Sequence, residues 1–262
     1  MVTTHFVLYR PIPPRTTLSG YQTIRQISLR SWGLSSFLFC TIFVVMDSRK
    51  KEDMIKIACI GDSITWGFTI IRRSKYSYPA VLGELLNSES QKFEVNNYGY
   101  NDSTARMDSE VPYVKKRVFT NAQKFLPDIA IIMLGSNDTK KINWDPEKFR
   151  EGYSKIVDTF TGLGAKVYLM TPPPVLNRIE VKEGIEISRI DPSIISLNNQ
   201  TLDEGVIPAI KELAREKGLP VIDINSAIGE VEQFNDGIHP NREGAEIIAR
   251  TVYERLSKDL NL

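Results

Sequence analysis

Histidine and cysteine are scarce in this chain of 262 residues, with two of each. His5 lies in a polar N-terminal stretch and His239 near the other end, so no pair of imidazoles is spaced to hold a metal ion. Carboxylates alone would have to supply the ligands, and no metal site is expected. Cys40 and Cys59 fall on very different segments, which argues against a disulfide framework. Cys59 sits inside an apolar run and reads as a buried thiol. Charge of one sign is also missing. A formal net charge of +1 gives no electrostatic case for nucleic acid or an acidic polymer as partner. The Gly-x-x-x-x-Gly-Lys-Ser/Thr loop that cradles nucleotide triphosphates is absent, and no cofactor is expected. No apolar run reaches the ~20 residues that a membrane span needs.

What is present is a globular composition, 42% hydrophobic and 25% charged. The first 53 residues differ from the rest. Residues 1–30 are mixed and without period, and Trp32 to Met46 forms an apolar run preceded by Arg25 and Arg30. The run resembles a signal-peptide core, yet the charged stretch Asp47 to Asp53 stands where a small-residue cleavage site would follow. Residues 1–53 are therefore read as an extension that is a signal, a short anchor or dispensable, and residues 54–262 as one domain. A start at Met46 or Met54 implies a cytoplasmic protein; a working signal over residues 25–46 implies secretion or anchoring. Membrane contact is expected only through that run.

From Ile55 onward, short apolar runs alternate with amphipathic stretches, the signature of βαβ units and a parallel sheet. Strands are predicted over Ile55–Ile60, Phe93–Asn97, Asp128–Leu134, Lys166–Met170 and Leu219–Ile224. Helices are predicted over Tyr78–Leu86, Glu110–Phe125, from about Pro146, from about Asn199 to Lys217, and after Asn241. Phe149, Tyr153, Ile156, Val157 and Phe160 fall on one stripe of the third helix; Ala245, Ile248, Ala249, Val252 and Leu256 do so on the last. The expected fold is a three-layer αβα sandwich around a parallel sheet of about five strands in flavodoxin-like order. The long connection from Thr171 to Ser196, with Arg178 and Arg189, is expected to be functional or mobile, for instance as a lid.

In such a sheet, ligands bind beyond the carboxyl ends of the strands. Four polar turns should gather there: Gly61–Thr65, Asn97–Thr104, Gly135–Asp138 and Asp236–His239. Ser63 occupies the first. Asp236 and His239 lie three apart in the last, close enough for a short loop to aim both side chains at one point. A serine nucleophile needs a base near neutral pKa and a carboxylate that fixes the base's tautomer. His239 is the one imidazole in the domain, so Ser63, His239 and Asp236 form a candidate triad. Taken singly, Ser63 could be a helix cap and Asn137 a turn residue.

Three segments carry a family resemblance. Gly61-Asp62-Ser63-Ile64, Gly135-Ser136-Asn137-Asp138 and Asp236-Gly237-Ile238-His239-Pro240 resemble three of the four motif blocks of the SGNH (GDSL-type) esterases and lipases, in the same order. The resemblance implies that Ser63 attacks an ester carbonyl, and that the Ser63 backbone N–H and the Asn137 side chain donate to the oxyanion. The second block departs from the pattern Asn-x-Gly-x-x-Gly-x-Thr, because Asp102 replaces its second glycine. The Asp102 N–H would complete the oxyanion hole if its carboxylate points away, with Gly99 as the fallback donor. Asp62 and Asp138 are read as structural carboxylates.

Trp66, Tyr76, Tyr78 and Trp144 lie near the turns, where they would line a pocket or pack the core. The stretch from Pro127 to Trp144, with Thr171–Pro174, resembles family members that deacetylate sugars. The reading is a serine esterase acting on small esters, O-acetyl groups on carbohydrates first. Its competitors are a lysophospholipase or thioesterase using the same site, a non-catalytic module with a decayed oxyanion hole, and, more distantly, a flavodoxin-type binding protein.

Overall fold

The computed structural model describes residues 54–89, 92–176 and 196–262. The extension 1–53, with Cys40, lies outside the described residues, as do Arg178 and Arg189 of the long connection.

In chain order the elements are β1 (Ile55–Gly61), α1 (Ser63–Trp66), α2 (Arg73–Tyr76), α3 (Tyr78–Leu86), β2 (Phe93–Gly99), α4 (Arg117–Lys124) and β3 (Ile129–Met133). They continue as α5 (Pro146–Gly162), β4 (Lys166–Met170), α6 (Asn199–Thr201), α7 (Ile207–Lys217), β5 (Val221–Ile222), α8 (Ile224–Ala227) and α9 (Arg242–Leu260). The five strands are parallel and ordered β2-β1-β3-β4-β5. Parallel neighbours require crossover helices, and these cover both faces of the sheet. Alternate β1 residues accordingly enter different cores. Ala58 and Ile60 pack with Phe119 of α4, Phe149 to Phe160 of α5 and Ile210 of α7. Ile57 and Cys59 pack with Tyr78 and Leu82 of α3 and with Ile248, Val252 and Leu256 of α9. Both predicted helical stripes are fully within these cores. Cys59 is buried, and loss of solvation pushes its thiol up to about 12, which leaves it unreactive.

Strands β1, β2 and β3 each match their expected ranges to within two residues in all, and three other elements differ more. The helix predicted over Glu110–Phe125 is α-helical only from Arg117, after a 3₁₀ turn at Tyr113–Lys115. Pro112 before it is held extended in a bridge to Thr104, because Thr104 N–H donates to the Val111 carbonyl and Tyr113 N–H to the Thr104 carbonyl. The helix expected over Asn199–Lys217 contains a π-helical turn at Leu202–Val206. Pro208, at the start of α7, has no N–H to continue the regular ladder. The fifth strand shrinks to Val221–Ile222, since Asp223 caps α8 by accepting from Ser226 N–H.

The two glycines at the ends of β1 and β2 pair with each other, Gly61 with Gly99. A Cβ on Gly99 would stand 2.2 Å from the Trp66 backbone nitrogen and 2.7 Å from the Thr65 carbonyl carbon. Backbone cannot rotate away as a side chain can. Gly99→Ala is expected to destabilise the fold by about 2–3 kcal/mol, measured as a lowered urea midpoint; unchanged stability would contradict this close contact.

Candidate active site

Ser63 is the first residue of α1, presented by a turn that β1 feeds directly. Gly61 is required there, because a Cβ would meet the Thr65 hydroxyl at 2.1 Å and the Met133 carbonyl oxygen at 2.5 Å. Asp62 caps the helix, its Oδ1 accepting from Ile64 N–H at 2.9 Å. The left-handed Gly67 then ends α1, and the N–H groups of Gly67 and Phe68 donate to the Ser63 carbonyl at 3.0 and 2.9 Å. The chain thus wraps tightly around the serine and fixes its side chain's direction.

The histidine arrives from a second turn with its own internal brace. Asp236 Oδ1 accepts from the N–H groups of Ile238 (3.0 Å) and His239 (2.7 Å), and Gly237 between them takes φ 83°. The other oxygen, Oδ2, lies 2.7 Å from His239 Nδ1. His239 Nε2 stands 2.9 Å from Ser63 Oγ. With Nδ1 as the donor to Asp236, Nε2 is left as the acceptor for the serine hydroxyl. The Phe68 ring packs 4.8 Å from the imidazole, centroid to centroid, and limits its rotation. Burial pushes the Asp236 carboxyl up, but hydrogen bonds and charge from His239, with the two backbone N–H groups, outweigh it and hold the group below the usual range.

Two further turns complete the rim. Asn137 follows β3, with its side-chain amide donating to the Ser103 carbonyl at 3.2 Å and its own carbonyl accepting from Asn143 Nδ2 at 2.9 Å. Asp138 reaches across to the turn after β2, where its two oxygens each accept at 3.0 Å from Ala105 and Arg106 N–H. In that turn Asp102 takes the left-handed conformation, φ 59°, that glycine would otherwise supply. Its carboxylate is 61% exposed and lies 4.0 Å from the Lys140 ammonium, so it faces outward. Among the described residues, the backbone N–H groups of Ser63 and Asp102 find no protein acceptor. The Gly99 N–H donates to Asn97 Oδ1 at 2.9 Å and is committed to holding its own turn.

A small recess of about 20 Å³ opens onto this edge, lined by Ser63, Asp102, Ser136, Asn137, Leu197, Ile238 and His239. Every residue expected at the site therefore meets there except Asp236, which stands behind His239, and Gly99. None of the four aromatic residues flagged in the sequence lines the recess. Tyr78 is buried and bonded to the Thr65 hydroxyl, Trp144 packs on Gly205, and Trp66 lies beneath Arg73 and Tyr76 beneath Arg242. Leu197, Ile238, Phe68 and Lys140 were not foreseen. Ile238 was discoverable, since a residue inside the Asp-x-x-His turn must point somewhere near the site; Leu197 comes from a distant segment with no local signal.

The chain matches the GDSL-like Lipase/Acylhydrolase family over residues 59–247, most of its length. It is 31% identical over 225 residues to an acetylxylan esterase of Xylanibacter ruminicola, covering 77% of this chain but 43% of that protein. The chain thus spans less than half the length of that relative. An uncharacterized protein of Bacillus subtilis, YpmR, is 23% identical over 80% of this chain and 84% of its own. Among solved structures, a Mycobacterium smegmatis aryl esterase superposes with TM-score 0.59 at 23% identity, covering 78% of this chain and 99% of that one. A carbohydrate acetylesterase from Sinorhizobium meliloti gives TM-score 0.60 at 20% identity, with the same coverage. The chain belongs to the GDSL-like lipase/acylhydrolase family. Its sheet order and helical layers are those of the SGNH hydrolase fold.

Behind the recess, the chain buries two carboxyls away from solvent. Burial pushes Asp138 up to about 7, against the pull of the Arg106 and Ala105 N–H groups. Burial likewise pushes Asp62 up to about 6; Ile64 N–H and His239 offset it only in part, and Oδ2 has no hydrogen-bond partner. Each group binds its proton more tightly folded than unfolded, so each lowers stability as pH rises from its ordinary value of 3.8 through its folded value. Asp62→Asn should remove its share of that slope. Urea denaturation at about pH 5 and about pH 7.5 should show the variant gaining on the parent at the higher pH. An equal difference at both values would contradict the assignment.

Proposed function

We propose that the chain is a serine esterase that removes small acyl groups, acetyl first, from carbohydrate hydroxyls, with residues 54–262 as the catalytic domain. The observation that carries this reading is the continuous hydrogen-bonded line from Asp236 through His239 to Ser63 Oγ. Ser63 Oγ attacks the ester carbonyl carbon while its proton passes to His239 Nε2, and the carbonyl π electrons move onto oxygen. Asp236 keeps the imidazole in the correct tautomer and stabilises the imidazolium. The oxyanion would be met by the N–H groups of Ser63 and Asp102 and by the second N–H of the Asn137 amide. Collapse expels the sugar alkoxide, which takes the proton from His239. Water, deprotonated by His239, then attacks the acyl-serine; acetic acid leaves as the proton returns to Ser63, and it ionises in solvent.

The small size of the recess supports a short acyl group. The names of the relatives support the leaving group: acetylxylan esterase for the Xylanibacter protein and carbohydrate acetylesterase for the Sinorhizobium structure. The outward Asp102 carboxylate favours a working oxyanion hole over a decayed one.

Turnover of p-nitrophenyl acetate, butyrate and octanoate tests this directly. Activity should be highest on acetate, and Ser63→Ala should lower kcat by at least about 10³-fold with circular dichroism unchanged. Asn137→Ala should cost about 10²–10³-fold in kcat. Asp102→Gly, which keeps the N–H and removes an exposed carboxylate, should keep kcat within about threefold and leave stability equal or higher. A preference for octanoate, or turnover that survives Ser63→Ala, would contradict the proposal.

A further inference from the structure

The net charge conceals a local excess of cations on and around the loop that follows the serine's helix. The loop from Gly67 to Tyr76 runs from the end of the serine's helix to α3 and carries Arg72, Arg73 and Lys75, all exposed. Arg242, the first residue of α9, joins them. The loop is pinned to the histidine's turn: Phe68 packs on His239, and Asn235 Nδ2 donates to Thr69 Oγ1 at 2.8 Å. Among the described residues, none of the four cations has a carboxylate partner; Glu246, one turn along α9, is taken by Arg250.

Three features set this patch apart from an ordinary solvated surface. Arg73 stacks over Trp66 at 3.8 Å and Arg242 over Tyr76 at 4.1 Å, distances from guanidinium carbon to ring centroid. A stacked guanidinium is held in one plane while N–H groups not otherwise spent remain along its edge, the arrangement that takes a planar carboxylate through two parallel hydrogen bonds. Arg242 stands at a helix start, where the macrodipole disfavours a cation. It is nonetheless anchored there by donating to the Ile71 carbonyl at 3.4 Å. Finally, Thr69 and Arg72 adopt left-handed backbone, φ 68° and 59°, a costly state for a β-branched residue.

We infer that this loop and Arg242 form a subsite for a negatively charged group on the substrate: the carboxylate of an acidic sugar near the acetylated hydroxyl. The inference extends the esterase reading, since it supplies the saccharide side of that same site. Trp66 and Tyr76, absent from the recess, would act here by holding the guanidinium groups in plane.

The test measures binding of unacetylated ligands, which requires no turnover and so stands apart from the esterase reading. A xylo-oligosaccharide bearing one glucuronic acid, and the same oligosaccharide without it, are titrated calorimetrically into the full chain. The acidic form should bind about tenfold more tightly at about 20 mM salt, with the gap shrinking at about 300 mM. Arg73→Gln with Arg242→Gln should abolish the preference while p-nitrophenyl acetate turnover stays within about twofold. Should that pair fail to fold, Arg72→Ala with Lys75→Ala removes exposed charge and spares both stacks, and it should still reduce the preference at least about threefold. Equal affinity for the two ligands, or a preference that survives the substitutions, overturns the inference. Capture by phosphatidylserine vesicles without any preference for the acidic sugar overturns it as well.

Discussion

The site depends on how closely the ends of three strands approach one another. Gly61 pairs with Gly99 on one side and with Met133 on the other, so the turns after β1, β2 and β3 leave the sheet side by side. Only a hydrogen in place of Cβ fits at either glycine. That contact sets the distance between the serine turn and the two turns that face it, and parallel strands guarantee that all three emerge at one edge. The histidine turn is brought to the same edge from farther along the chain, and it reaches Ser63 with a hydrogen bond of 2.9 Å.

Buried polar groups then fix each turn to the next. Asn97 spans the β2 end, donating to the Thr65 carbonyl at 2.7 Å and accepting from Gly99 N–H. Asp138 ties the β3 turn to Ala105 and Arg106. These carboxylates and amides replace water at the C-terminal edge with fixed partners, which is the condition for aiming donors at a developing charge without reorganisation. The cost is visible in Asp62 and Asp138, whose protons are held more tightly than a solvated carboxyl would hold them.

Much of this was legible in the sequence because period and motif agree. Strands buried on both faces read as continuous apolar runs, and two helical stripes placed α5 and α9 against the sheet. Ser63, Asp236 and His239 stood out because the domain holds a single imidazole. Four things were hidden. Side-chain direction at Asp102 depends on its left-handed backbone and on Lys140, which is distant in sequence. Helix ends near Pro112 and Pro208 were decided by tertiary hydrogen bonds and by a missing N–H, neither of which affects apolar spacing. The aromatic residues near the turns looked like pocket walls, yet Trp66 and Tyr76 lie under arginines and Tyr78 lies in the core. Total charge, finally, cannot report how cations are distributed around a cleft.

Chemical reactivity at Ser63 tests the central claim most directly. An alkyl fluorophosphonate reacts only with a serine that a neighbouring base has activated, and intact mass with peptide mapping locates the adduct. The account predicts one adduct, on Ser63, that is lost in His239→Ala while the fold is retained. No adduct on the folded wild-type chain, or an adduct that persists without His239, would contradict it.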